Sequence, residues 1–370
     1  MRVLIVPDKF KGTLTARAAA DAIAAGWRRA RPADRLDLLP LCDGGDGFGE
    51  VMGFLLGARP VRTRTVDAAH RPVTAVWWWD ARTRTAVIES ARVIGLAMLP
   101  RGRFHPFALD TRGLGAVLRA AARRGARRCL VGIGGSATND GGFGLARALG
   151  WKFFDAAGEE ITRWTELRRL ARLQPPARRR RFNELIVAVD VQNPLLGPRG
   201  ASRIYGPQKG LRPADLAPAE ANLRRLAAVV QRQFGHARHR EAGAGAAGGL
   251  GFGLRTFAGG RFAPGFDLYA RLAGLRKRLR AAEVIVTAEG RLDRSSLMGK
   301  GPGGVAALAR RIGRPCVGIG GTVGDRAALR RRFTAVHALA PDLVPLAEAM
   351  RHPARSLRAA AERIAAAWRE

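Results

Sequence analysis

Residues 132–150 read GIGGSATNDGGFGLARALG. The apolar residues 129–133 lead into the glycines, and a helical pattern follows them, so the stretch reads as strand, glycine loop, helix. Glycine is costly in the middle of an element. A cluster of glycines beside Ser136, Thr138, Asn139 and Asp140 therefore reads as a loop that brings backbone N–H groups close to something small and charged. The helix after it adds its positive end. A strand that feeds a helix through a short loop is the unit of a parallel sheet covered by helices.

The same unit recurs on both sides. Residues 1–6 read as a buried strand stopped by Pro7-Asp8, and 16–30 as an alanine-rich helix capped by Thr13 or Thr15. A second strand, 35–41, ends in Cys42-Asp43-Gly44-Gly45-Asp46-Gly47. Between 60 and 90 the texture changes, and Val61, Val73, Ala75, Trp77, Trp79, Val87 and Ile88 alternate or cluster as in β-hairpins. Further on come a helix at 114–124, an apolar stretch at 151–154 and an arginine-rich segment, 163–182, that reads as helical or exposed. A buried strand at 184–191, a helix at 218–234 and a small-residue segment at 242–253 follow. The last third alternates: strands at 283–287, 315–318 and 335–340, helices at 303–312 and 325–333, then a terminal helix. The expectation is an α/β fold in which residues 1–60 join 285–370 in one parallel-sheet domain. Residues 61–284 would form a second α/β domain, with the active site in the cleft between.

At 370 residues the chain can bury a large core. No apolar run approaches the roughly 18 residues of a membrane span, and the opening MRVLIVPDKF is too short and too polar for a signal peptide. The expected location is the cytoplasm, with no membrane partner. Cys42, Cys129 and Cys316 form neither a disulfide framework nor a zinc pattern. Net charge is +34, from 64 basic and 30 acidic residues. Lysine occurs only at 9, 11, 152, 209, 277 and 300, so the excess is arginine, spread over helix faces. The densest run, 178–181, is short and lacks interleaved aromatics, which argues against a nucleic-acid partner. Four of the lysines, Lys9, Lys11, Lys209 and Lys300, fall in Gly/Pro-rich stretches, where a compact ammonium suits a phosphate.

Ligands of open α/β sheets bind beyond the carboxyl ends of the strands. There the chain places Asp8-Lys9-Phe10-Lys11, Asp43-Gly44-Gly45-Asp46, Gly134-Gly135-Ser136 with Asn139-Asp140, Asp190-Val191-Gln192-Asn193 and Glu289-Gly290-Arg291-Leu292-Asp293. Carboxylates, glycine loops and a few lysines together suit phosphoryl transfer, in which Mg²⁺ takes one or two carboxylates and amides and cations hold the phosphates. No GxxxxGK[ST] loop and no protein-kinase set is present. A rival reading takes Gly132-Ile-Gly134-Gly-Ser-Ala137 with Asp155 as a dinucleotide fingerprint. Against it, Asp140 would repel a pyrophosphate. The six histidines lie outside these loops.

The chain resembles the bacterial glycerate kinases of the two-domain α/β type along nearly its whole length. The resemblance rests on VPDKFKGTLTA (6–16), DGGDG (43–47), GIGGSATNDGGFGLARALG (132–150), VDVQNPLLGPRGA (189–201), YGPQKG (205–210), GAGAAGGLGFGL (243–254) and EGRLDRSSLMGKGPGGVA (289–306). It implies a Rossmann-like domain interrupted by a second α/β domain, and ATP-dependent phosphorylation of D-glycerate to 2-phosphoglycerate. The chain departs from the usual pattern at Lys9, Asp46-Gly47-Phe48, Ile94, Leu114 and Ala288. The expected catalytic residues are Asp190, Asp293, Lys300, Lys11 and Asp8, with Asp190 orienting or deprotonating the hydroxyl. Gly134, Gly135, Ser136, Asn139, Asp140, Asn193, Lys209, Glu289 and Arg291 are expected to hold substrate or phosphate, and Asp43 with Asp293 to hold Mg²⁺. Two alternatives stand beside this: an arginine-rich nucleotide- or nucleic-acid-binding protein without catalysis, and an NAD(P)-dependent oxidoreductase. The residues give no oligomeric state.

Overall fold

The strand Arg2–Ile5 lies inside a five-stranded sheet, with Val284–Leu292 parallel on one edge and Arg35–Leu38 parallel on the other. The computed structural model describes every residue except Arg178, Arg179, Arg180, Met298, Lys300 and Glu370. Cys316–Val323 and Ala335–Ala340 complete this sheet, all of it parallel. Its middle strands are covered on both faces and so read as continuous apolar runs. Helix Ala16–Ala30 is capped by Thr15, whose Oγ1 accepts from the Ala18 amide at 3.1 Å. It lies against the last helix, Pro353–Ala367, at Gly26, where a β-carbon would sit 2.1 Å from the Arg358 carbonyl oxygen. Val3, Ile5, Ile23, Trp27, Val286, Val317 and Leu357 belong to the core between them.

A second sheet has six strands in the order Arg261–Ala263, Glu184–Ala188, Arg128–Gly132, Thr85–Glu89, Pro72–Asp80, Arg59–Val66. The first four are parallel, and the last two form the antiparallel hairpin expected from the alternation at 60–90. Glu89 pairs with Gly132, Gly132 with Ala188, and Ala188 with Ala263. The loops that follow these strands therefore leave one edge of the sheet side by side.

The chain divides into Met1–Asp43 with Phe266–Glu370, and Gly44–Gly265, whereas the sequence reading drew its limits at 60/61 and 284/285. Helix Phe48–Leu56 goes with the hairpin because Gly49 and Gly53 lay bare backbone on the Trp78 ring. Phe266 goes the other way, its ring against Gly304.

Two segments differ from expectation. The stretch 163–182 contains a short 3-10 turn, Trp164–Arg169, and a strand, Leu170–Gln174, paired antiparallel with Lys152–Asp155 in a separate two-stranded sheet. Only Leu170 and Leu173 of that strand are buried, so the arginines masked its alternation. Part of the basic run, Arg178 to Arg180, lies outside the described residues. The small-residue segment opens a helix, Ala246–Phe257, whose Ala247, Gly248 and Gly249 are left-handed before the regular turns begin. Among the described residues, no helix is long and apolar enough to cross a membrane.

Candidate active site

In the first unit, three neighbouring strands deliver three carboxylates to one edge. The Asp8 amide donates to the Ala288 carbonyl at 2.7 Å, and the Leu41 amide to the Pro7 carbonyl at 2.9 Å. Asp8, Asp43 and Glu289 thus act on one another. Burial is the main reason the Asp8 carboxyl is pushed up to about 6; Lys9, its ammonium 3.7 Å away, opposes this and Asp43 adds to it. Burial likewise pushes Glu289 up to about 7. The Ser296 hydroxyl opposes that shift, and Asp8, Asp293 and Asp43 reinforce it. Negative charge accumulates here beyond what one lysine relieves.

Asp293 behaves differently. Its Oδ1 accepts from the Ser295 hydroxyl at 2.6 Å and amide at 2.8 Å, and Arg291 Nε lies 3.0 Å from Oδ2. These contacts, the serine hydroxyl first, hold its carboxyl below the usual range. Arg291 is spent on that pair, and Lys11 is exposed on its own turn. Lys300 lies outside the described residues. Among the described residues, no group of three or more His, Cys, Asp or Glu is arranged to hold a metal alone. Mg²⁺ does not need one, since it keeps waters and binds through one or two carboxylates plus substrate phosphates. The surplus charge on Asp8, Asp43 and Glu289 suits such an ion, whereas Asp293 is already compensated.

In the second unit the glycine loop follows strand Arg128–Gly132, as expected. At its tip Gly134 is half-buried and Gly135 exposed, with a positive φ of 74°; the Gly134 amide donates to the Gly44 carbonyl at 3.4 Å, and a β-carbon on Gly135 would sit 2.5 Å from the Asp46 carboxylate. The Ser136 hydroxyl is turned inward, 2.9 Å from the Thr138 hydroxyl and accepting from the Thr138 amide at 3.1 Å. The second glycine pair, given to the anion with the first in the sequence reading, is consumed internally. The Gly141 amide donates to the Gly248 carbonyl, and the Gly142 amide to Asp140 Oδ1. A β-carbon on Gly142 would sit 2.6 Å from Gly253 Cα. Gly141 and Gly142 serve packing.

Asp140 is fully buried and saturated. It accepts from the Thr111 amide and hydroxyl and from the Gly142 and Gly144 amides, at 2.7–3.1 Å. Burial still pushes it up to about 6. Asp140 lies three residues before helix Phe143–Ala148 and takes the Gly144 amide of its first turn. Asn139 is buried, its amide nitrogen on Ser202 Oγ at 2.9 Å. Lys209, at the end of helix Ala201–Lys209, is buried too, and donates to the Thr138 carbonyl at 2.6 Å. Burial brings its ammonium down to about 7, with Asp140 opposing. Thr138, in the glycine loop, and Thr111 and Ser202, which no motif marks, complete this network.

Asp190, half-buried after strand Glu184–Ala188, accepts from the Gly265 amide at 3.0 Å through Oδ1. Asn193 braces its own turn, donating to the Arg199 carbonyl and accepting from the Tyr205 hydroxyl. Register brings Gly134–Ser136 and Asp190 to the same edge of the sheet. Asp155, the acidic residue of the rival dinucleotide reading, lies in the separate hairpin, held by Arg169 and by the Ala157 and Glu159 amides.

The sequence model of the glycerate kinase family matches residues 3–369. The chain belongs to the glycerate kinase family. It is 36% identical over 371 residues to a glycerate kinase of Bacillus subtilis (strain 168), covering 99% of this chain and 97% of the relative. It is 36% identical over 329 residues to the glycerate 2-kinase of Escherichia coli (strain K12), covering 88% and 86%. A solved structure from Salmonella typhimurium LT2, described as a glycerate kinase 2, superposes with a TM-score of 0.85 at 33% identity over 99% of this chain and 97% of that one. Membership carries the reaction, ATP-dependent phosphorylation of glycerate, and sets aside both the non-catalytic and the oxidoreductase alternatives.

Proposed function

We propose that the chain phosphorylates D-glycerate at its 2-hydroxyl in the cytoplasm, with Mg-ATP as donor. The observation that carries the position of transfer is the match over 88% of this chain to a relative named glycerate 2-kinase. The loop 134–136, exposed at Gly135, receives an anion, for which the glycerate carboxylate is the natural choice. Asp190, its carboxylate fixed by the Gly265 amide, accepts the proton as the hydroxyl oxygen bonds to the terminal phosphorus and ADP leaves. Lys11 and Lys300 serve the phosphates. Asp43 and Asp8 would hold Mg²⁺, which when bound neutralises phosphate charge. Asn139, Asp140, Asn193 and Lys209 act as positioning residues behind the loop, and Arg291 and Asp293 brace the segment that bears Glu289.

Phosphorus NMR of the product tests the position directly: 2-phosphoglycerate is expected, and 3-phosphoglycerate overturns it. Asp190→Asn keeps Oδ1 for the Gly265 amide. It should fold normally, bind ATP and lose turnover by roughly 10²–10⁴-fold. Turnover within a few-fold of the parent would remove Asp190 from the chemistry.

A further inference from the structure

In the first unit the carboxylates of the candidate site gather where the strands end, and the edge of the same sheet where strands begin carries charge of the other sign. Helix Leu275–Ala281 feeds strand Val284–Leu292, helix Gly301–Arg311 feeds Cys316–Val323, and helix Arg326–Arg330 feeds Ala335–Ala340. These three strands are neighbours, and register sets Ile285 beside Cys316 and Val317 beside Ala335. The three helix-to-strand turns therefore lie side by side, each strand about 4.8 Å from the next. At these turns and the helix ends before them stand Arg280, Arg310, Arg311, Arg314, Arg331 and Arg332. Arg314 is half-buried and the other five are exposed.

Two contacts join the turns into one ridge. Arg314 donates to the Arg280 carbonyl at 3.2 Å, and Arg310 donates to the Arg331 carbonyl. A cation at a helix C-terminus complements the dipole, which explains why Arg310 and Arg311 suit their helix. It leaves the missing counter-charge unexplained, because none of the six has a carboxylate in ion-pair range among the described residues. Glu283 accepts from the Arg2 amide at 2.5 Å. Asp325 is held below the usual carboxylate range first by the Ala328 amide and then by Arg294, with Arg331 adding to this from beyond ion-pair range. The large apolar side chains exposed among the described residues, Phe54, Leu96, Ile204, Leu346 and Met350, all lie elsewhere. Bases would find no ring to stack on here, and a membrane no anchor. Phosphate groups need neither, and planar guanidiniums match their oxygens.

We propose that this ridge binds inorganic polyphosphate, a linear chain of phosphates laid across the three turns. The binding is independent of the roles assigned to the catalytic residues. It is tested by calorimetric titration of the full chain with a short linear polyphosphate of uniform length, in the presence of saturating glycerate and ADP. One saturable site per chain is expected, with affinity falling about a hundredfold or more between roughly 50 and 200 mM salt. Arg311 and Arg332 make no side-chain hydrogen bond among the described residues, so replacing both leaves the fold intact. The double variant Arg311→Gln, Arg332→Gln should weaken binding about tenfold or more. The double variant Arg62→Gln, Arg64→Gln removes the same charge from exposed positions of the second unit and should leave the affinity unchanged. Turnover of glycerate should be unaltered in both. An oligothymidylate of equal charge should bind more weakly. Equal losses in the two double variants would reveal attraction to any cationic surface, and tighter binding of the oligothymidylate would assign the ridge to nucleic acid. Either result, or no saturable binding with the catalytic site filled, would overturn the proposal.

Discussion

Lys209 makes a different contact from the one its scarcity suggests. Lysine scarcity singles it out, but its ammonium is buried on the Thr138 carbonyl rather than offered to a phosphate. The partner is 71 residues away in the chain, which no local pattern conveys. Lys209→Met leaves that carbonyl without its donor, so KM for glycerate should rise several-fold with a smaller change in kcat, read by steady-state kinetics. Its ammonium titrates near 7 when folded and near 10.4 in an unfolded chain. Across that window the unfolded state binds more protons, so this residue's contribution to stability grows as pH rises. Lys209→Met should flatten the slope, visible as unfolding free energies between pH 7 and 10. His70 has the opposite sign. Its hydrogen bond to Asp110, 2.9 Å away, raises its pKa above 6.5. Stability from that pair is full below 6.5 and lost as pH rises through the folded value. His70→Gln should therefore lower the melting temperature at pH 5.5 more than at pH 8.5.

At the scale of elements, the positive-φ glycines separate into two kinds. Gly248 has a φ of 71°, and a β-carbon there would lie 1.9 Å from the Thr138 carbonyl oxygen. Gly235, closing helix Pro213–Phe234, has a φ of 70° with open space around it. Denaturant unfolding should show Gly235→Ala losing about 1 kcal/mol, the cost of the left-handed backbone alone. Gly248→Ala adds a backbone collision and should lose at least about 3 kcal/mol, with activity falling because the glycine loop moves. Sequence conveyed the strands well wherever burial on both faces makes an unbroken apolar run, as at residues 3–6 and 284–286. It conveyed Leu170–Gln174 poorly, because only two residues of that strand face the core. In the candidate site, the exposed left-handed turn at Gly135 was legible from glycine placement. The inward use of Asp140, Gly141 and Gly142 was not, because it depends on Thr111 and on the helix that begins at Ala246.

Among the described residues two apolar cores stand apart, one built on Val3, Ile23 and Val317 and the other on Trp77, Val131 and Phe252. The second belongs entirely to a continuous stretch, Gly44–Gly265. Expressed alone, that stretch should melt cooperatively by calorimetry; a broad, non-cooperative trace would show that its core is insufficient. Met1–Asp43 alone should stay unfolded, because most of its partners lie beyond residue 265. The order in which a ribosome makes these pieces follows. Strand Arg2–Ile5 meets Arg35–Leu38 almost at once, but its other neighbour contributes Thr287, whose hydroxyl bonds the Val6 carbonyl 281 residues away. At about 5–20 residues per second, the first strand waits roughly 15–60 s for that edge to be covered. Gly44–Gly265 emerges whole in the meantime. The newborn chain thus carries a finished body behind an apolar strand with one edge unpaired, the kind of surface that holding chaperones shield.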